Sequence, residues 1–216
     1  MNTLFTLDRA EGSLFDTAGR RFDPAQRRWL PASRKKGRPA KAEMLDAIAA
    51  VIWLQRESNY PLREPIGVIG PRDATPAQRA VALEVGELLG DCRLAVLCGG
   101  RQGVMQSVCE GVARVGGLAI GLLPEVDASQ ANPFVGVAIA TGIGEARNAL
   151  IARASFCLIA IGNSLGTLSE VALGRQFGKL VIGLEGAAKV PGVEHCSSAR
   201  DAVERVAEAV LAEARR

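Results

Sequence analysis

The chain has 216 residues, of which 48% are apolar and only 4% aromatic, and its formal net charge is +3. This length supports one sizeable hydrophobic core with an appendage, and so small a net charge does not by itself indicate a nucleic-acid-binding protein. No uninterrupted apolar run reaches the roughly 18 residues that a membrane span needs. The first residues also lack the basic and apolar regions of a secretory signal.

The five cysteines are irregularly spaced, and none forms a Cys-x-x-Cys pair. This pattern is typical of reduced thiols in a cytoplasmic protein rather than of a disulfide framework. A single histidine adds no further ligand pattern, so we expect no metal site.

Residues 1–64 differ in character from the rest and are predicted to form a small N-terminal extension. Short strands are expected near residues 4–7 and 12–16, where apolar residues are flanked by turn formers. A basic segment follows at 34–41, which we interpret as a solvated linker rather than a minor-groove hook. Apolar residues at three- and four-residue spacing then predict a helix from 42 to 57.

From residue 65 to 216 the pattern alternates between short apolar runs and amphipathic stretches. Strands are predicted at 66–70, 93–97, 118–123, 135–140, 156–161 and 180–184, and helices at 76–90, 103–115, 145–154, 167–177 and 198–214. Thr75 is expected to cap the first of these helices, with Pro76 at its first position. Because the strands are continuously apolar, the sheet should be mainly parallel and covered on both faces. The prediction is a doubly wound, Rossmann-like α/β domain with a small N-terminal extension.

Two glycine-rich turns follow predicted strands, at residues 98–105 and 162–167. Glycines allow backbone N–H groups to approach a ligand closely, and the N-terminus of the following helix favours negative charge. Both turns would lie at the carboxyl edge of the sheet, so the sequence predicts a phosphate site there. The turn at 98–105 and the earlier turn at 67–71 match neither the dinucleotide nor the NTP-binding glycine motif. The alternative is that the glycines only permit tight turns.

Two charged side chains are candidates for the same edge. Arg147 would stand in the first turn of a helix, where its guanidinium can form paired hydrogen bonds with a phosphate; the alternative is a surface arginine paired with Glu145. Glu170 either forms a capping box with Thr167 or acts as an acid–base carboxylate beside a bound sugar. His195 is interpreted as a solvated loop residue rather than a catalytic base.

Three segments, residues 98–105, 145–148 and 166–170, resemble the signatures of the LOG-like (SLOG) superfamily, and the resemblance covers about residues 66–185. This superfamily includes the LONELY GUY cytokinin-activating phosphoribohydrolases and the molybdenum cofactor carrier proteins. The phosphoribohydrolases share a Pro-Gly-Gly-x-Gly-Thr-x-x-Glu motif, but Gly162, Asn163 and Ser164 stand here in place of its first three residues. The runs 131–134 and 141–148 look more like the carrier branch.

The resemblance implies that the chain binds and carries a phosphorylated small molecule, with molybdenum cofactor as the candidate ligand. The alternative is a phosphoribohydrolase that cleaves the N-glycosidic bond of nucleoside 5′-monophosphates, with Arg147 and Glu170 as catalytic residues. A regulatory nucleotide sensor is a third class within the superfamily, and a homodimer is expected because members usually pair. The implied phosphate- and ligand-binding residues are Gly70, Gly99, Gly100, Gly103, Val104, Met105, Arg147, Asn148, Asn163, Ser164, Gly166, Thr167 and Glu170.

Overall fold

A computed structural model describes residues 3–32 and 42–212, so the predicted basic linker at 34–41 lies outside the described residues. The chain divides into two compact units, one formed by Met1–Leu62 with Glu204–Arg216 and the other by Arg63–Val203. The sequence interpretation assigned residues 204–216 to the larger domain, whereas here they group with the N-terminal residues. The last helix, α6 (Ala199–Leu211), therefore contributes residues to both units.

Among the described residues, the first unit contains a five-stranded antiparallel sheet, the helix α1 and the larger part of α6. Its elements are β1 (Phe5–Asp8), β2 (Ser13–Phe15), β3 (Arg21–Asp23), β4 (Arg28–Leu30), β5 (Ala42–Leu45) and α1 (Ala47–Glu57). The strand order is β4-β3-β2-β1-β5. The two predicted strands correspond to β1 and β2, while β3, β4 and β5 were not predicted because they are only three or four residues long and carry no clear alternation.

Helix α1 begins five residues later than the sequence predicted. The predicted start at residue 42 is wrong because residues 42–45 form β5, which pairs with β1 so that Leu45 lies opposite Phe5. Asp46 then ends the strand and caps the helix, since its carboxylate accepts a hydrogen bond from the Ala49 N–H at 2.8 Å. In the sequence, the polar Asp46 interrupts the apolar periodic run, and this interruption marks the start of α1.

Side chains of the N-terminal sheet satisfy the last carbonyls of α6. The Trp29 Nε1–H donates to the Leu211 carbonyl at 2.8 Å, and the Arg27 guanidinium donates to the Val210 carbonyl. The Trp29 ring also stacks on Phe5, with ring centroids 5.8 Å apart. Carbonyls at a helix C-terminus lack intrahelical partners, so these contacts join the two ends of the chain in one unit.

The second unit is a seven-stranded sheet in which every pairing is parallel. Its strands are β6 (Ile66–Ile69), β7 (Val96–Cys98), β8 (Ala119–Leu123), β9 (Val137–Ala140), β10 (Leu158–Ile161), β11 (Val181–Leu184) and β12 (Val193–His195). Its helices are α2 (Pro76–Asp91), α3 (Val104–Arg114), α4 (Asn148–Ala154) and α5 (Leu165–Gln176), with a 3₁₀ turn at Gly144–Arg147 before α4. The predicted doubly wound, mainly parallel α/β fold with a small N-terminal extension is confirmed. None of the helices among the described residues is long and apolar enough to cross a bilayer.

The structure tests two local predictions in this unit, at Thr75 and at His195. Thr75 caps α2 in a capping box with Gln78, and Pro76 occupies the first turn, as predicted. His195 is exposed, as predicted for a solvated residue, but it lies at the end of β12, which pairs in parallel with β11, and not in a loop. Two of the three residues of this strand are polar, so its sequence resembles a loop.

The strand order β12-β11-β10-β6-β7-β8-β9 reverses direction between β6 and β10. From β6 the chain moves outward through β7, β8 and β9, and it then returns to β10 on the other side of β6. Connections leaving such a pair diverge, which opens a crevice at the carboxyl ends of the strands. A Cβ placed on Gly70, just after β6, would lie 2.6 Å from the Ile161 carbonyl oxygen at the end of β10. The two backbones therefore meet closely at the base of this crevice.

Helices α2 and α3 pack through glycines on both facing surfaces. A Cβ on Gly86 would lie 2.3 Å from the Val108 carbonyl oxygen, and one on Gly111 would lie 2.1 Å from the Leu83 carbonyl oxygen. Neither helix backbone can accommodate a methyl group at these points without moving apart. The absence of side chains thus sets the distance between the two helices.

We expect Gly111→Ala to lower the free energy of unfolding by about 1–3 kcal/mol, the usual cost of overpacking. Gly166→Ala is the matched control, because Gly166 also lies in a helix but a Cβ there would have no atom closer than the Ser164 Oγ at 3.8 Å. Urea denaturation of both variants measures the difference. Equal stabilities for the two variants would contradict the proposed close packing.

Candidate functional site

A cavity of about 260 Å³ opens at the carboxyl ends of β6, β7 and β10, where the strand order reverses. Side chains from the 3₁₀ turn and from α4 complete its wall. The lining residues are Ile69, Gly70, Arg72, Gly99, Arg101, Met105, Glu145, Arg147, Asn148, Ser164, Gly166, Thr167 and Glu170. The two glycine turns identified in the sequence thus contribute to one shared cavity.

Nine of the thirteen predicted site residues line this cavity: Gly70, Gly99, Met105, Arg147, Asn148, Ser164, Gly166, Thr167 and Glu170. The other four, Gly100, Gly103, Val104 and Asn163, do not. Four further residues line the cavity but were not predicted from the sequence: Ile69, Arg72, Arg101 and Glu145. Arg72 and Arg101 had a usable signal, because each lies in a turn directly after a strand whose carboxyl end was expected to face the ligand.

Two predicted site residues that do not line the cavity, Gly100 and Val104, have structural roles in the turn. Gly100 has a φ of +72°, and its backbone passes so close to the next strand that a Cβ would lie 3.1 Å from the Gly121 Cα. Its N–H donates to the Cys98 Sγ at 3.3 Å. The Val104 N–H, the first of helix α3, donates to the Pro71 carbonyl at 3.1 Å. At these positions the tight-turn interpretation holds, since the N–H groups already bond to protein atoms.

Asn132 fixes the conformation of the first glycine turn. This buried side chain donates from Nδ2 to the carbonyls of Gly100 and Arg101, both at 3.0 Å. Its Oδ1 accepts from the Phe134 N–H at 3.1 Å. The turn is therefore held through its carbonyls by a loop more than thirty residues further along the chain.

The second glycine turn presents the N-terminus of α5 to the cavity. Ser164 caps this helix, and its Oγ accepts from the Thr167 N–H at 3.1 Å. The predicted helix start at Thr167, with a Thr167–Glu170 capping box, is therefore wrong. Gly166 lies in the first turn, where N–H groups lack intrahelical partners, and almost nothing stands over its Cα. The positive end of the helix dipole is thus open to the cavity.

Arg147 is buried, with only 5% of its surface exposed, which contradicts the alternative of a surface arginine. It ends the 3₁₀ turn, so the helix predicted from residue 145 begins as α4 only at Asn148. A Cβ on Gly99 would lie 2.7 Å from the Arg147 Nη2, so the bare Gly99 backbone makes room for the guanidinium. Arg147 also donates to the Asn148 Oδ1.

Glu170 faces the same guanidinium, with its Oε1 3.6 Å from the Arg147 Nη1. Burial raises the pKa of this carboxyl to about 8, an effect that Arg147 opposes and the neighbouring Glu145 supports. At neutral pH the carboxyl is therefore largely protonated, and it can donate a hydrogen bond. The cavity accordingly combines a buried cation, a neutral acid and an open helix N-terminus.

This combination is chemically suited to an anionic group that carries polar substituents. The helix terminus and the guanidinium attract negative charge, and the protonated carboxyl adds a donor without adding an opposing charge. Among residues 3–32 and 42–212, no group of three or more His, Cys, Asp or Glu side chains is placed to hold a metal ion.

Comparison with known proteins gives relatives that share the second unit. An uncharacterised protein from Archaeoglobus fulgidus is 34% identical over 138 residues, which cover 64% of this chain and 91% of the relative. The molybdenum cofactor binding protein from Rippkaea orientalis has a similar structure, with a TM-score of 0.65 and 36% identity over 68% of this chain and 98% of its own. The molybdenum cofactor carrier protein from Chlamydomonas reinhardtii has a TM-score of 0.63 and 32% identity, over 68% of this chain and 99% of its own.

The family assignment rests on the larger part of the chain. Residues 63–212 match the sequence profile of the SLOG cluster4 family, and this range includes every strand and helix that lines the cavity. The resemblance seen in the three sequence segments is thereby confirmed. The chain belongs to the SLOG cluster4 family.

Proposed function

We propose that this protein binds and carries a phosphorylated small molecule, and that its cargo is molybdenum cofactor. The observation that supports this proposal is the meeting of the buried Arg147 guanidinium and the open N-terminus of α5 in one cavity. Both features attract a phosphate, and neither has a partner that fully neutralises it within the wall of the cavity. The ligand would lie at the carboxyl ends of β6, β7 and β10.

The phosphate is assigned to the α5 end of the cavity. Gly166 leaves the first-turn N–H groups accessible, and Arg147, which faces Glu170 of α5, can contact the same phosphate. The Ser164 and Thr167 hydroxyls, 2.8 Å apart, bond to each other and can reorient toward an oxygen of the ligand. The Asn148 Nδ2 donates to the Ser169 hydroxyl at 3.0 Å. Asn148 also lines the cavity.

Molybdenum cofactor is the preferred cargo because the similar proteins from Rippkaea orientalis and Chlamydomonas reinhardtii bind or carry it. The departure of Asn163 and Ser164 from the phosphoribohydrolase motif also favours a carrier. Ser164 has a definite role here, since it caps α5 in place of a glycine of that motif. The Ser164 side chain occupies space beside the N-terminus of α5 that a glycine would leave open.

The second candidate is a phosphoribohydrolase, and the Arg147–Glu170 contact is the observation that favours it. Arg147 would orient the phosphoribosyl group, and the protonated Glu170 could donate its proton to the departing base. A regulatory nucleotide sensor would use the same contacts without chemistry. The carrier remains our conclusion because Asn163 and Ser164 replace two of the three glycines of the hydrolase motif.

Two measurements test this choice. Mass spectrometry of the small molecule released from the purified protein identifies the cargo, and we expect a phosphorylated pterin. Incubation of the protein with AMP, followed by chromatography for adenine, tests hydrolysis, and we expect no release above the rate of a Glu170→Gln variant. Rapid adenine release by the wild type alone would replace the carrier with the hydrolase.

Arg147→Ala should weaken binding of the identified ligand by about 2 kcal/mol, which is typical of a lost charge-assisted hydrogen bond. Arg114→Ala is the matched control, because Arg114 is exposed and pairs with Glu87 and Glu110 on the surface of α2 and α3. Isothermal titration calorimetry measures both variants. An unchanged dissociation constant for Arg147→Ala would remove this residue from the site.

Binding of an anion should weaken as the pH rises through about 8, because Glu170 then loses its proton and faces the ligand as a carboxylate. A phosphate monoester is already fully ionised above about pH 7, so the change between pH 7 and 9 reports on the protein. We expect an affinity loss of about tenfold, equivalent to one pKa unit of linkage. Glu170→Gln should flatten this profile, and an identical slope in both proteins would argue against the assignment.

We also propose a homodimer, supported by large apolar side chains that remain exposed on the second unit. Ile139, Leu150 and Leu165 are 44%, 46% and 88% exposed, and a dimer would cover such apolar surface. Multi-angle light scattering should give twice the mass of one chain. A single-chain mass at high concentration would refute the dimer.

The proposed setting is the cytoplasm, without a nucleic-acid partner. None of the five cysteines forms a disulfide and four of them are buried, as expected in a reducing compartment. The net charge of +3 gives little attraction to a phosphate backbone.

A further inference from the structure

Buried polar atoms without hydrogen-bond partners concentrate around the cavity. In the part of the chain that the structure describes, four such side-chain atoms occur: the Nε of Arg101, Arg147 and Arg175, and the Oε2 of Glu125. Arg101 and Arg147 both line the cavity, and Glu125 is the ion-pair partner of Arg101. Folded proteins rarely leave buried polar groups unpaired, so three of the four atoms indicate a missing ligand.

Arg101 is held in place independently of any ligand. Its carbonyl accepts the Asn132 Nδ2–H at 3.0 Å, and its guanidinium makes one contact with Glu125, from Nη1 to Oε1 at 3.3 Å. Only 19% of its side chain is exposed. Because this is a single contact, the Arg101 Nε and the Glu125 Oε2 have no hydrogen-bond partner. A donor and an acceptor therefore lie unpaired on two neighbouring side chains.

The geometry points to a second anion subsite at Arg101, so that the natural ligand carries two anionic groups, one at Arg147 and α5 and the other at Arg101. This inference rests on the proposed function, because it assumes that the first group is the phosphate. The second group would accept from the Arg101 Nε, and a hydroxyl on it would donate to the Glu125 Oε2. A carboxylate beside a hydroxyl satisfies both requirements, whereas a fully ionised phosphate monoester or another oxyanion satisfies only the first.

Sheet topology separates the two subsites. Arg101 follows β7 and α5 follows β10, and β6 lies between these strands. Neighbouring strands are about 4.8 Å apart, so the two strand ends are roughly 10 Å apart. A small anion on the N–H groups of α5 therefore does not reach the turn after β7, whereas one molecule with an anionic group at each end can contact both. Arg147 lies against Gly99 but also faces Glu170 of α5, and it is assigned to the first group. Arg72, which follows β6, lies on the same wall and adds positive charge at the surface.

The local charges agree with this arrangement. Glu125 faces Arg101, while Glu145 and Glu170 face Arg147 at 3.9 and 3.6 Å. The charge of each arginine is thus partly compensated by carboxyl groups of the protein itself. Arg72 provides an excess of positive charge between them, so a ligand with a second negative group gains attraction that a singly charged one does not.

Selenate is a suitable probe, because it is a phosphate-sized dianion that anomalous diffraction locates without ambiguity. Crystals of the full-length protein soaked in selenate should contain two ions in the cavity, one near the N-terminus of α5 and one at Arg101. Arg101→Ala should lose only the second ion, and Arg147→Ala should weaken only the first. Arg114→Ala is the control that should retain both, and Arg101→Lys should restore part of the second occupancy if Arg101→Ala fails to fold.

The outcomes separate this inference from the proposed function. One selenate at α5, with none at Arg101 in the wild type, overturns the second subsite and leaves the carrier proposal intact. No selenate anywhere in the cavity overturns both. An ion at Arg101 that persists in Arg101→Ala also contradicts the assignment.

Discussion

The reversal of strand order between β6 and β10 is the constraint on which the rest of this site depends. Chains that leave neighbouring parallel strands in opposite directions cannot cover the gap between them, so a crevice forms before any functional residue is chosen. Everything that lines the crevice enters from a connection after a strand. The position of the site is thus a consequence of chain topology, and its chemistry is a consequence of which residues occupy those connections.

A buried guanidinium is costly unless its surroundings compensate for the lost hydration. Here the compensation is incomplete: Arg147 contacts Glu170 and Glu145 at distances of 3.6 and 3.9 Å, and its Nε has no partner. The raised pKa of Glu170 makes this compensation weaker still at neutral pH. A charge that the protein buries without satisfying it gives a bound anion a larger gain than a surface arginine could. The incompletely paired guanidinium of Arg147 therefore indicates that the ligand carries an anionic group.

The sequence predicted the main sheet well, because buried parallel strands are continuous apolar runs and their connections contain glycine. It also identified Arg147, Gly166 and Glu170, which lie in the segments that resemble the SLOG signatures. It did not predict β3, β4, β5 or β12, whose three or four residues carry too little periodicity. It could not separate Gly99, which faces Arg147, from Gly100, which packs on Gly121, because both residues allow the same turn and only tertiary contacts distinguish them.

The capping of the α6 carbonyls by Trp29 and Arg27 has a consequence for biosynthesis. The unit that contains them needs residues from both ends of the polypeptide, whereas residues 63–203 are contiguous. During translation the strands from β6 to β10 can begin to pair before α6 has left the ribosomal tunnel, since domains generally fold as they emerge. The N-terminal sheet, although synthesised first, must wait for the final turns of α6 before its aromatic cluster can be completed.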